Sequence, residues 1–362
     1  YRITNDSTEL IVSVNQQEID QVAFRFHLPV AMGYNKADEE IKIIWIDESI
    51  DSVTIPVKKG LDWFEVDPFG DMLWEFTEEK GDDVWMSQLT KASSFISRER
   101  ALIHFANQNP SAVFSQLKGL LKDPFWAIRA EALDFSSVFK PSLDQQLLAQ
   151  LIEMSKQDQK SIVKASAFAA LDSLSQNDTA LNRIYLAGLK DSSYAVIRSC
   201  LSILLENDPC LGSKEIGFLE NETHGSIRFW VSRVYASCAD PKYLSFFENA
   251  SKTSTGLDLF LINNDFTDFA ARLHNEKVYD SLVKSLTESA LNGESWWARY
   301  SAIQGLGKAE VYYESEIETL ELKKERSAGD DERAAALKNK KASLSAMIEE
   351  IKEMQVEDEM KH

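Results

Sequence analysis

Five histidines are the first residues to question for chemistry: His27, His104, His224, His274 and His362. Zinc ligation from a helix needs two of them three or four residues apart, so that both imidazoles leave one face, with a glutamate alongside as base. No two stand at that spacing, and none has a neighbouring Glu. His27 lies in an alternating apolar stretch and His104 between Ile103 and Phe105, which reads as structural for both. Cys200, Cys210 and Cys238 each border an apolar helical segment. An odd count without framework spacing predicts buried free thiols, not a disulfide scaffold or a zinc knuckle. With no histidine near them in sequence, nothing supports a thiolate nucleophile. Asp67-Pro68-Phe69-Gly70-Asp71 has the flavour of a calcium loop without its ligand spacing or closing Glu, and reads as a turn. There is no Gly-rich phosphate loop and no nucleophile elbow.

Two recurring residue types remain. Arg98, Arg129, Lys164, Arg198, Arg228 and Arg299 occupy one position in successive copies of a short pattern, clearest in Asp123-Pro124-Phe125-Trp126-Ala127-Ile128-Arg129. The spacings are 31, 35, 34, 30 and 71 residues. The last is two periods, so a degenerate copy is expected between, placed at residues 265–273 with Arg272 in the basic position. Guanidinium groups stacked on one face could bind carboxylates or phosphates through paired donors. Alternatively each pairs with an acidic residue of the adjacent repeat and satisfies loop carbonyls. Recurrence favours this ladder, because a binding site seldom needs the same residue in every repeat. The second type is the Trp296-Trp297 pair. Two tryptophans opening a helix stack a ligand or anchor an interface, whereas Trp126 in the comparable place of another copy favours core packing. Trp296, Trp297, Arg299, Arg129, Arg198 and Arg228 are the candidates for substrate or interface contact. No residue is assigned a catalytic or metal-binding role.

The elements that position these residues change type along the chain. Up to about residue 81 the pattern is β. Leu10–Val14, Ala23–Leu28, Ile41–Ile46, Ser52–Val57, Trp63–Asp67 and Leu73–Phe76 are short β-rich runs, broken by polar or Gly-bearing stretches such as Gly33-Tyr34-Asn35-Lys36. Pro56 belongs at an edge or a strand end, since it cannot donate to a ladder. From Asp82 the periodicity is helical, and the period of about 30–45 residues is that of two-helix repeats, each burying its apolar stripe against its neighbours. About seven copies fit. Residues 310–362 turn charged, with 15 Asp plus Glu against 9 Lys plus Arg. There Leu337, Leu344, Ile348 and Ile351 form one apolar stripe beyond a break at Ser327–Asp331, where Asp331 can cap a new helix. The expected fold is therefore β then all-α. A fibronectin-III-like antiparallel β-sandwich (1–81) precedes an α-α superhelix of HEAT-like repeats (82–309) and a charged C-terminal helical hairpin (310–362).

Of the 362 residues, 44% are hydrophobic and 27% charged, as in an ordinary globular chain. The net charge of -19 argues against nucleic acid and anionic membrane surfaces as partners and leaves solubility or attraction of cationic ligands. No apolar run reaches the roughly 18 residues of a membrane span. A start at Tyr1-Arg2-Ile3-Thr4, without an initiator Met or a leader pattern, reads as a fragment, a processed form or a design.

Three stretches carry a family resemblance. Leu10-Ile11-Val12-Ser13-Val14-Asn15-Gln16-Gln17 with Phe24-Arg25-Phe26-His27-Leu28-Pro29-Val30 resembles the opening strands of the β-sandwich in zinc aminopeptidases of the aminopeptidase N type. Trp85-Met86-Ser87-Gln88-Leu89 through Arg98-Glu99-Arg100-Ala101-Leu102 resembles the first segment of their helical superhelix, and Trp296-Trp297-Ala298-Arg299-Tyr300-Ser301-Ala302 a late one. The likeness covers residues 9–140 and 290–307, and the middle only as a generic HEAT pattern. The family's catalytic motifs, Gly-x-Met-Glu-Asn and His-Glu-x-x-His, do not occur here. The same half also resembles a non-catalytic relative in a general transcription factor complex. The resemblance implies the non-catalytic C-terminal half of such an enzyme, with no cofactor in this chain and zinc only in an N-terminal catalytic domain of the same polypeptide. That domain and peptides would be its partners, met by the concave face of residues 82–309. The alternative is a protein-interaction scaffold with a HEAT-like docking surface.

Overall fold

The computed structural model describes residues 2–5, 9–16, 23–35, 38–139, 142–175, 178–222 and 224–360. Tyr1, Gln17, Lys36 and His362, named above, lie outside them. The chain divides into two compact units, residues 1–177 and 178–362.

The first unit opens with two three-stranded antiparallel sheets. One has the order β1-β2-β5, from β1 (Arg2–Asn5), β2 (Glu9–Asn15) and β5 (Ile50–Pro56). The other has the order β4-β3-β6, from β3 (Phe26–Asn35), β4 (Asp38–Ile46) and β6 (Trp63–Val66). Alternation decides which side chains face inward. Leu10, Val12 and Val14 from β2 and Ile55 from β5 meet Leu28, Val30 and Met32 from β3, Ile44 and Ile46 from β4, and Phe64 and Val66 from β6 in one buried core. That makes a sandwich. Pro56 ends the edge strand β5. Two local expectations are corrected. Gly33 does not break the chain but lies inside β3, because the Trp63 indole covers it; a Cβ there would sit 2.0 Å from Trp63 Nε1. Leu73–Phe76 forms no strand and joins no sheet. Its alternation buries Met72 and Trp74 in part against the sandwich core, which needs no ladder partner.

Helices follow in antiparallel pairs. In the first unit these are α1 (Asp82–Lys91) with α2 (Phe95–Gln108), α3 (Phe114–Leu120) with α4 (Trp126–Asp134), then the short α5 (Ser136–Phe139), and α6 (Gln145–Gln157) with α7 (Ser161–Ser175). In the second they are α8 (Asn182–Gly188) with α9 (Tyr194–Asn207), α10 (Pro209–Glu215) with α11 (Gly225–Cys238), α12 (Leu244–Thr253) with α13 (Gly256–Leu273), and α14 (Glu276–Asn292) with α15 (Trp296–Glu321). The basic residue of the sequence pattern falls near the start of the second helix of a pair, as Arg98, Arg129, Lys164, Arg198, Arg228 and Arg299 do. The degenerate copy is in a different register from that expected. α13 begins at Gly256, so the equivalent position holds buried Leu259, and Arg272 lies at the helix's far end.

In the second unit α15 packs on α13, α14 and α16 (Ala328–Met360). Gly305 allows the crossing: a Cβ there would come within 2.4 Å of Leu286 and 2.6 Å of Thr267. α15 runs unbroken through the 309/310 boundary and forms a hairpin with α16. Leu337, Leu344, Ile348 and Ile351 are buried, each contributing roughly 1.5–3 kcal/mol. The cap of α16 is Ser327, not Asp331: its hydroxyl accepts the Asp330 N–H at 3.2 Å while the Asp330 carboxylate accepts the Ser327 N–H at 3.0 Å, a reciprocal box.

The cysteines also differ from expectation. Cys210, at the start of α10, and Cys238, at the end of α11, are bonded, with Cα atoms 4.7 Å apart. Antiparallel packing of the two helices returns the chain to the same end after 28 residues, a juxtaposition the spacing alone does not reveal. Cys200 is free and buried, and burial pushes its thiol pKa up.

Candidate functional site

Trp296, Trp297, Arg299 and Arg228 all fall in the second unit, where α12 turns into α13, α14 turns into α15, and α11 begins. The two tryptophans stack on each other, with ring centroids 3.5 Å apart, and Phe260 of α13 meets Trp297 edge-on at 6.3 Å. These rings are not core. Trp296 is 55% exposed, Trp297 48%, Tyr300 51% and Leu257 63%. Residues 296, 297 and 300 share a helix face by their spacing, so one turn of α15 presents three aromatic side chains. Tyr300 is held by Gln304, whose amide donates to the phenol oxygen at 2.7 Å.

Just before this turn is a cavity of about 240 Å³ whose lining includes Ser251, Lys252, Gly256, Glu288 and Glu294. The Ser251 hydroxyl is buried without a hydrogen-bond partner among the described residues. Gly256 opens α13 with φ +54°, a conformation in which a side chain would be strained. The N-caps of α11, α13 and α15 are His224, Thr255 and Ser295, and none caps through its side chain.

The arginines buttress the turns. Arg299 donates to the Gly293 carbonyl at 2.9 Å. Arg228 reaches the hydroxyls of Thr253 and Ser254 at 3.3 and 3.2 Å. Both leave guanidinium donors over and neither has a carboxylate partner among the described residues. Arg198 is exposed, without an ion pair or hydrogen bond among the described residues. Arg129 is in the first unit, where Nε and Nη2 donate to the two oxygens of Asp158 at 2.9 and 2.8 Å and Nη1 to the Asp123 carbonyl at 2.8 Å. Arg98 repeats this, with Asp123 at 2.5 Å and the Leu89 carbonyl at 2.7 Å.

Sequence reasoning did not single out Tyr300, Leu257 or Phe260 for this rim. The spacing of Tyr300 from the tryptophan pair was a usable signal. Leu257 and Phe260 carry none, because only the neighbouring helix makes them part of the surface. It also passed over a buried charge cluster in the first unit. There Lys80 donates to the Phe64 carbonyl at 2.7 Å and to Gln88 at 2.6 Å, and pairs with Glu78 at 2.7 Å, beneath the Trp85 ring. Arg100 donates to Glu65 at 2.8 Å and to the Val66 and Asp67 carbonyls. Burial, followed by the nearby Glu78, pushes Glu65 up to about 7, and burial draws Lys80 down. These residues tie the sandwich to α1 and α2. In the second unit Asp265, on α13, accepts from Ser232 and lies 3.7 Å from Arg233; burial pushes it up to about 7.

Among the described residues no group of three His, Cys, Asp or Glu side chains could hold a metal ion. His27 lies tilted against Trp45 with ring centroids 4.6 Å apart, and His104 lies flat on Trp85 at 4.5 Å. No helix among the described residues is long and apolar enough to cross a membrane.

No family model and no curated protein matches the chain. The solved structures that align with the chain include the following three. Aminopeptidase A of Legionella pneumophila, in complex with aspartic acid, aligns over 94% of this chain and 48% of its own, with 11% identity and a TM-score of 0.48. The chain thus spans about half the length of that protein. The CpcE–CpcF complex of the Nostoc phycocyanin lyase aligns over 76% of this chain and 98% of its own, with 12% identity and a TM-score of 0.40. Human deoxyhypusine hydroxylase, in complex with glycerol, aligns over 74% and 96%, with 12% identity and a TM-score of 0.30. At these scores nothing about activity passes from them to this chain.

Proposed function

We propose that this chain is the non-catalytic C-terminal region of a zinc aminopeptidase, packing on a catalytic domain of the same polypeptide and bounding the chamber its peptide substrates enter. The observation that carries the reading is the order of elements in the first unit. A small antiparallel sandwich is followed at Asp82 by paired helices, and two of the three stretches that resemble the family lie here, on β2, β3, α1 and α2, the third being on α15 of the second unit. On this reading zinc and the bond-breaking residues would belong to the catalytic domain. The exposed rim of α13 and α15 is the surface that would meet peptide or the catalytic domain. A peptidase assay with and without the upstream polypeptide tests the reading: cleavage is expected only with it, and robust zinc-dependent cleavage by the 362-residue chain alone would sink the idea.

The same exposed aromatic rim favours a second reading, a protein-interaction scaffold without peptidase activity. A stable macromolecular partner in a pull-down, together with an upstream coding sequence lacking His-Glu-x-x-His, would select it.

A further inference from the structure

The joint between the sandwich and the first helix pair encloses an odd number of charges. Three carboxylates meet two cations there: Glu65 on β6, Asp67 just after it, Glu78 and Lys80 on the stretch before α1, and Arg100 on α2. The first four side chains are at most 1% exposed and Arg100 is 19% exposed. A buried charge without a counter-charge is costly enough that the group gives it up. Glu78 pairs with Lys80 at 2.7 Å and accepts the Val66 N–H at 3.1 Å. Asp67 accepts the Asp71 and Met72 N–H groups at 3.0 and 3.1 Å and lies 3.9 Å from Arg100. Those are two charges of each sign. Glu65 is the carboxylate left over. Its Oε1 accepts from Arg100 at 2.8 Å, but its Oε2 is buried with no hydrogen-bond partner among the described residues. Ser97 of α2 faces it, and Gln88 of α1 closes the wall by donating to the Ser97 carbonyl at 2.7 Å. His104, on the same helix as Arg100, is turned instead to Trp85 and to Asp82 at 3.3 Å. Burial, then Glu78, push the Glu65 carboxyl up to about 7, against the pull of Ser97, Lys80 and Arg100.

The stretch that closes this cluster has little else to hold it. Residues 71–81 have no regular secondary structure. They supply Glu78 and Lys80 to the cluster, and Phe76 lies under the Arg100 guanidinium, 4.7 Å from its ring centroid. We propose that residues 71–81 are a proton-gated strap: it closes over a neutral Glu65, taking up one proton as it does, and loss of that proton sets Glu65 against Glu78 and frees the strap and α1 from the sandwich. Proton linkage sets the sign. The ordinary value is 4.5, so the stabilisation is complete below it and is lost as pH rises through about 7. The strap is shut in mildly acidic solution and loosened in mildly alkaline solution. Every group in it lies within the first unit, so the device does not depend on the peptidase reading.

The test is hydrogen exchange of the full chain read by mass spectrometry, from about pH 6 to about pH 9, with rates corrected for intrinsic exchange. Protection of amides in residues 71–92 is expected to fall by about tenfold or more over that range, with β2 and β5 still protected after the strap has exchanged. Glu65→Gln should hold the strap's protection level across the range, and Glu65→Met serves if the first variant folds poorly. Asp265→Asn, which alters the buried carboxylate of the second unit, should leave the fall in place. Infrared spectra of that Asp265→Asn chain give a reading with Glu65 intact: a protonated-carboxyl band should vanish as pH rises through about 7. Four results overturn the proposal: unchanged protection of residues 71–92 across the range, an equal fall in a folded Glu65→Gln chain, loss of strap and sheet protection together, or no titrating carboxyl band.

Discussion

In residues 1–177 charge is inside and aromatic rings cover it. In residues 178–362 one aromatic group, Trp296, Trp297 and Tyr300, stands outside, while a larger one from Tyr235 to Phe269 fills the core. The contrast is sharpest at one repeated position. Arg129 and Arg228 both stand at the fourth residue of a second helix. Arg129 holds a mostly buried Asp158 in a two-pronged pair. Arg228 has only hydroxyl acceptors at 3.2–3.3 Å. A position kept by sequence pattern is thus a tight joint in one unit and a loose brace in the other. The tight joints fix geometry. The loosely braced turns frame a surface that no described residue covers.

Substitutions can break this contrast. The largest effect is expected for Arg100→Ala, which leaves Glu65 buried without its cation and should cost about 3–5 kcal/mol in denaturant unfolding; a loss below 1 kcal/mol would mean that the cluster does not hold the sandwich to the helices. The second unit has a covalent tie in place of a buried charge joint. Cys210→Ser/Cys238→Ser opens a link between residues 28 apart and should cost about 3–4 kcal/mol by the loop-entropy relation. Non-reducing mass mapping should find the Cys210–Cys238 peptide pair in the parent protein. Arg129→Ala should cost about 2–3 kcal/mol, because Asp158 loses its partner, and Arg228→Ala under 1 kcal/mol. Equal costs would erase the distinction drawn above.

Acidity separates the units less, since both Glu65 and Asp265 are pushed up to about 7. For Asp265 the ordinary value is 3.8, so the folded chain binds this proton more tightly than the unfolded one. Its contribution to stability is present below that value and is lost as pH rises through about 7. Asp265→Asn should flatten the fall in stability between pH 5 and 8 by on the order of 2 kcal/mol. The smallest effect belongs to the rim: Trp297→Ala should change unfolding free energy by under about 1 kcal/mol, as expected of a half-exposed ring.

The sandwich and the paired helices were legible because both rest on periodicity. Leu10, Val12 and Val14 alternate, and the basic residue returns every 30 to 35 positions. The register of the degenerate copy was not legible, because α13 replaces the marker residue with Leu259 and offers Arg272 as a decoy. The disulfide and the buried cluster escaped for another reason. Cys210 with Cys238, and Glu65 with Arg100, are neighbours only after the chain has folded back. Trp296 and Trp297 were legible as a pair, but their exposure was not. Trp126, the sequence analogue that suggested a core role, is itself 37% exposed.

Lys80 lies two residues before α1, at the boundary expected between sandwich and helices, yet its side chain is fully enclosed. A gene truncated at that apparent seam would deliver a helical piece with Gln88 and Trp85 facing solvent, and a sandwich piece trailing a cation that had lost its cover. The seam is therefore a poor place to divide this chain for separate expression. A helical fragment that begins at Asp82 should be recovered in soluble form less readily than one that retains the sandwich.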